Sequence, residues 1–210
     1  MNRLQNVGVI PINKDVLYSL YSDLKRPDRK IPELERKGLV IRIKRNLYVV
    51  SPKIHNREIS RELLANHLYG PSYVSLESAL SYYGLIPERV YSMLSVCSKQ
   101  YKQYNTPLGN FEYIKAPENY FPIGINQEIV NDSYAFLIAS PEKALCDKIT
   151  NLRNVRIQSV KAMHEYLEYD LRFDMSALNT FNTDIIEDCV KFGKKKTELT
   201  QLLKLLQNRR

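Results

Sequence analysis

Between positions 29 and 46 the chain sets seven cations and one asparagine close together: Arg29, Lys30, Arg36, Lys37, Arg42, Lys44, Arg45 and Asn46. Guanidinium and ammonium groups at this density bind polyanions. Set on a helix they reach base edges or phosphates, and set on a hairpin they follow a nucleic-acid backbone. Arg29 and Lys30, near a helix start, are best placed for base edges, and Arg36 and Lys37 for phosphates. Arg42, Lys44, Arg45 and Asn46 are the hairpin candidates, whereas Tyr48 reads as core rather than as a stacking residue. If about five of these cations met phosphates, the log–log salt slope of binding would be roughly −4 to −5. The charge is localised. Positions 23–57 carry eleven Lys/Arg against four Asp/Glu, and positions 191–210 carry seven against one. The stretch between, 58–190, has eleven against seventeen, within a net charge of +8.

Other chemistries find little footing. His55, His67 and His164 lack metal-ligand spacing. Cys97, Cys146 and Cys189 are odd in number and far apart, which fits reduced thiols in a cytoplasm better than a disulfide framework. There is no Gly-rich phosphate loop and no nucleophile elbow. "PEKALCDK" invites a nuclease reading through Glu142, Lys143 and Asp147, but Ser140-Pro141-Glu142 explains the same letters as a helix start. No catalytic residue, metal ligand or cofactor is expected. The fifteen tyrosines could stack on RNA bases, yet they sit among acids and apolar residues and read mostly as core or interface. Lys194, Lys195, Lys196, Arg209 and Arg210 could touch DNA, RNA or the acidic middle of the chain, or form a solvated helix end, and are not taken as a site. No apolar run is long enough to span a membrane and no signal peptide is apparent, so a cytoplasmic protein is expected.

The basic residues need elements to hold them. Val16, Leu17, Leu20 and Leu24 predict a helix over 13–24 with Asn13 as its cap. A short second helix follows, from an Asp28 cap or from nearer Lys30, to about 37, with Gly38 just past its end. Pro32 argues for the later start. On this helix Ile31 and Leu34 share one side, and Arg29, Lys30, Glu33, Arg36 and Lys37 share the other. A strand at 39–43, a turn at Lys44-Arg45-Asn46 and a return strand at 47–50 complete the unit. Helix, short helix and hairpin in this order predict a winged helix-turn-helix, its third helix coming from 1–12 or from 57–69. A protein-docking module without sequence-specific DNA binding is the competing reading of the same elements.

Downstream, helices are predicted at 57–69, at "SLESALSYYG" with Ser75 as cap, and from Ser140 onward. Strands are predicted at "YSMLSVCS", "NFEYIK", "YFPIGI" and "YAFLIA", and helices again from about 155 to a Leu-striped last one at 194–207. The fold class is therefore α+β: a winged helix-turn-helix over 1–56, then a larger mixed α/β domain over 57–210 ending in helices.

The chain resembles the AbiEi family of antitoxins from type IV (AbiE-type) bacterial toxin–antitoxin systems. "RIKRNLYVV" is similar to the family's wing, and "YGPSYVSLESALSYYGLIPE", "TPLGNFEY" and "ASPEKALCD" follow as further landmarks in order. The likeness covers nearly the whole chain. Asn46 departs from the glycine common at the wing tip, and asparagine tolerates the same left-handed backbone. The resemblance implies an N-terminal unit that binds the operator DNA of its own operon and represses it. It also implies a C-terminal domain that antagonises a nucleotidyltransferase-like toxin without forming a stable complex with it.

Overall fold

A computed structural model describes residues 3–209. Met1 and Asn2 of the expected 1–56 unit, and Arg210 of the C-terminal basic cluster, lie outside them. The architecture is mixed α+β, with nine α-helices and two sheets among the described residues. No helix among them is long and apolar enough to cross a membrane.

The N-terminal part runs through a 3-10 turn (Gln5–Val7), β1 (Ile12–Asn13), α1 (Lys14–Ser19), α2 (Pro27–Arg36), β2 (Val40–Lys44) and β3 (Leu47–Val50). The three strands form an antiparallel sheet in the order β1-β3-β2. Asn13 caps α1 as expected, its side chain accepting from the Val16 N–H at 2.9 Å. The helix ends at Ser19, short of position 24. Tyr21 N–H bonds the Tyr18 carbonyl and Leu24 N–H the Tyr21 carbonyl, so the chain tightens to three-residue turns. α2 starts earlier than expected, with Pro27 in its first turn and Pro32 inside it. Asp28 does not cap it, being held by Arg26 at 3.1 Å. Pro32 is exposed, so water can serve the Asp28 carbonyl that the ring deprives of an N–H.

The larger part contains α3 (Pro52–His55), α4 (Arg61–Leu68), β4 (Ser72–Val74), α5 (Leu76–Tyr82), β5 (Ser92–Cys97) and β6 (Lys102–Thr106). It continues with β7 (Gly109–Lys115), β8 (Ile125–Val130), β9 (Tyr134–Ala139), α6 (Pro141–Thr150), α7 (Val160–Glu165), α8 (Thr183–Phe192) and α9 (Lys196–Gln207). Six strands form one sheet in the order β6-β7-β5-β4-β9-β8, parallel at β5–β7 and β4–β9 and antiparallel elsewhere. "YFPIGI" is mostly a turn rather than a strand. Tyr120 and Phe121 N–H groups fold back onto the Pro117 carbonyl, and β8 begins only at Ile125.

Two cores result. Leu4, Ile12, Leu17, Ile31, Leu34, Val40, Tyr48 and Val50 form the smaller one, with Val7 and Ile54 packed on it. The third packing element is therefore the 4–7 turn together with α3, not α4, whose Leu63, Leu64 and Leu68 belong to the larger core. The small sheet is shared: Tyr48 and Val50 face the smaller core while Leu47, Val49 and Ile43 face the larger. Val49 and Val50 are both fully buried, on opposite sides. Each contributes about 1.5–3 kcal/mol of burial, so the hairpin is clamped between the two parts.

Candidate nucleic-acid interface

α2 presents Ile31 and Leu34 to the small core. At 100° per residue, Arg29 and Arg36 leave the helix on the side opposite them, and both are exposed. Neither forms an ion pair among the described residues. Lys30 and Lys37 are less free. Both reach Glu33, at 3.0 and 2.6 Å, and together they hold its carboxyl down at about 2. The cationic arc expected along this helix thus reduces to two unpaired arginines beside a triad in which two lysines share one carboxylate.

The hairpin tip is decided by one irregularity. Arg42 pairs with Tyr48, but Lys44, two residues on, pairs with Leu47, only one residue back. Ile43 is the extra residue of a β-bulge, and a bulge moves later side chains to the other face. Arg42 therefore stays on the α2 side, and Lys44 turns to the larger part. There its ammonium donates to the Leu68 carbonyl and lies 5.5 Å from the Tyr104 ring centroid. Burial, then the neighbouring Lys99 charge, lowers its pKa. Lys44 does not project alongside Arg42 and Arg45, contrary to expectation, because simple alternation ignores the bulge. The two-residue turn is Arg45-Asn46, and Asn46 takes φ 66° as anticipated for a residue in a glycine-like place. Its side-chain oxygen accepts from the Lys14 N–H at 3.2 Å, tying the hairpin tip to the start of α1.

Arg42, Arg45 and Asn46 line one side of a groove of about 560 Å³, with Lys14, Tyr18 and Tyr48. α2 forms the other side through Asp28, Ile31, Pro32 and Glu35. Lys14 sits 5.0 Å from the Tyr18 ring centroid, and Tyr18 raises its pKa. Arg42 and Arg45 are exposed and form no ion pair among the described residues. The groove can accept a linear anion along its cationic rim, while its α2 side carries two carboxylates, Asp28 and Glu35.

The other candidate, Glu142 with Lys143 and Asp147, lies inside the larger core. Lys143 and Asp147 are 0% and 1% exposed, 3.3 Å apart. The Lys143 ammonium donates to the Tyr120 carbonyl at 3.0 Å and sits 3.1 Å from the Tyr120 ring centroid. Asp147 accepts from Ser75 at 2.6 Å and from Tyr73 at 3.2 Å. Burial, and next to it the Asp147 charge, pushes the Tyr73 phenol well up. Glu142 accepts from the Asn182 N–H at 2.9 Å, at the start of α8. Each of the three is engaged in holding elements together. Ser75 occupies the cap position of α5, yet its hydroxyl serves Asp147 instead of the helix. Nothing local to "SLESAL" announces this partner, which lies 72 residues away.

His55, His67 and His164 remain apart from any metal-like grouping among the described residues. Cys97, Cys146 and Cys189 are buried free thiols. No family model matches this chain, and no curated protein matches it.

Proposed function

We propose that this chain is a DNA-binding transcriptional autoregulator whose N-terminal unit is a winged helix-turn-helix. α2 is its recognition helix and the β2–β3 hairpin its wing. The observation that carries this reading is the placement of four unpaired, exposed arginines. Arg29 and Arg36 lie on the outward side of α2, and Arg42 and Arg45 on the hairpin rim beside it. The strand order β1-β3-β2, with α1 and α2 between β1 and β2, supports it further. In this reading Arg29, near the start of α2, meets base edges, and Arg36, Arg42 and Arg45 meet phosphates. Lys30 and Lys37 assist once Glu33 releases them, Asn46 shapes the tip, and Lys44 makes no contact. Through its resemblance to the AbiEi antitoxins, the partner is the operator of its own operon. The larger domain is then the part that counteracts a nucleotidyltransferase-like toxin, without a stable complex.

A second reading is favoured by one observation. Asp28 and Glu35 line the groove with Ile31, Pro32 and Tyr48, a mixed surface that suits a protein segment better than a phosphate chain. A gel shift on the DNA upstream of the gene, competed with unrelated DNA, separates the two. Retention of the upstream fragment against a hundredfold excess of competitor supports the first. Equal loss to both DNAs, or no shift at low salt, sinks it and leaves the docking module.

A further inference from the structure

The six-stranded sheet ends on one side at β6 and on the other at β8. The two edges differ in kind. β6 carries Lys102 and runs into Pro107, devices that discourage pairing. β8, "INQEIV", has no Lys, Arg or Pro. Its pairing with β9 is continuous from Ile125↔Ala139 to Val130↔Tyr134, without a bulge. Among the described residues no backbone group bonds its outer side. On the open face Ile129 is 65% exposed and Leu137, diagonal to it on β9, is 43% exposed. An edge with no Lys, Arg, Pro or bulge and with Ile129 and Leu137 exposed on one face is a template for another strand.

We infer that the strand completing this edge is β8 of a second copy of the chain, related by a two-fold axis through Gln127. A two-fold interface must be complementary to itself. With faces preserved, antiparallel pairing places residues of equal parity opposite one another, so the axis passes through a residue. Centred on Gln127, Ile129 meets Ile125 of the second copy, Glu128 meets Asn126 and Gln127 meets itself. The edge reads the same in both directions: apolar, polar, Gln, polar, apolar. Centring on Glu128 would oppose two carboxylates, and centring on Asn126 would set Ile129 against Ile123, beyond the strand. Glu128 is the one charge in β8, and β9 has none, so neither strand brings a cation to the interface. The product is a continuous twelve-stranded sheet, twice the six of one copy. This inference stands independently of the DNA reading.

The test is sedimentation of the full chain at tens of micromolar, with cross-linking to fix the register. The wild type should sediment at twice the 24.5 kDa chain mass. Ile129→Lys, at an exposed position, should fall to the single mass and keep one cooperative melting transition that no longer depends on protein concentration. Gln127→Cys should give a disulfide-linked dimer under mild oxidation, because self-opposed Cα atoms lie roughly 4.5–5.5 Å apart, within disulfide reach. Glu128→Cys should not, its self-distance being roughly 7–8 Å. A wild type that is monomeric at all concentrations, a dimer indifferent to Ile129→Lys, or equal cross-linking at 127 and 128 would each overturn the proposal. Binding of an unrelated extended peptide to a strictly monomeric chain would do the same, and would reassign the edge to another partner.

Discussion

Lys44 and Arg45 are adjacent in sequence and point to different parts of the molecule, so replacing each by alanine divides the electrostatic argument cleanly. Four arginines, Arg29, Arg36, Arg42 and Arg45, are exposed and unpaired. With Arg36, Arg42 and Arg45 on phosphates and Arg29 on base edges, the log–log salt slope is about −2.7, and affinity falls about 40-fold between 50 and 200 mM salt. Arg45→Ala removes one contact, so the slope becomes about −1.8 and the same change of salt costs about 12-fold. Lys44→Ala removes a group bound to the Leu68 carbonyl, so the slope stays at about −2.7. Its cost appears instead in the fold, as the loss of one hydrogen bond of about 1 kcal/mol. That corresponds to a melting temperature lower by about 2–4 °C for a chain of this size. Fluorescence anisotropy on the upstream DNA at five salt concentrations, with a thermal melt of each variant, measures both. A slope that drops equally for Lys44→Ala and Arg45→Ala would refute the bulge-based assignment. A wild-type slope near zero would refute the phosphate reading altogether.

Asp147→Asn should destabilise the chain by about 3–5 kcal/mol in urea unfolding, because it strands the buried Lys143 ammonium; adding Lys143→Met to Asp147→Asn, which keeps an acceptor for Ser75 and Tyr73, should recover part of that loss. Asn46→Gly should cost little, the lost Lys14 hydrogen bond being offset by relief of the left-handed backbone, whereas Asn46→Ala should cost about 1–2 kcal/mol for that backbone, read by the same unfolding assay. Glu33 has its folded pKa lowered from 4.5 to about 2, so its link to Lys30 and Lys37 stabilises the fold above its ordinary pKa and is lost as pH falls through about 2. Its side-chain carboxyl should accordingly titrate near 2 by NMR, and a midpoint near 4.5 would remove the triad.

The elements of the N-terminal unit were legible because their signals are local. The Asn13 cap, Gly38 after α2 and the alternation of "VIRIK" each act within a few residues. The boundaries missed were those set by compensation. α1 ends early because its exit tightens into three-residue turns, and α2 keeps Pro32 because that ring faces water. β1, β4 and β6 were invisible for another reason. Two or three residues carry no period, and "KQYNT" has the composition of a loop until β7 pairs with it. The candidate site was legible in composition and only half legible in direction. Charge density marks the segment, but which cations remain free depends on Glu33 and on a single bulged residue.

The buried polar centre bears on what the family likeness can support. Tyr73 and Ser75 come from "YGPSYVSLESAL", and Lys143 and Asp147 from "ASPEKALCD". These stretches carry much of the resemblance, and in the fold they meet each other rather than the basic groove. "TPLGNFEY" behaves alike: a side chain at Gly109, with φ 109°, would press within 3.2 Å of the Arg61 guanidinium, which donates to the Tyr91 carbonyl at 2.9 Å. The letters that look most family-like are therefore occupied in closing the larger core. Their contacts account for these letters by the core they close, and they are silent on DNA. The nucleic-acid reading must stand on Arg29, Arg36, Arg42 and Arg45. A variant with the centre intact and those four replaced by serine should fold as the wild type and lose the upstream DNA. If it kept that DNA, the basic groove would be a solvated surface and the DNA contact would lie elsewhere on the chain.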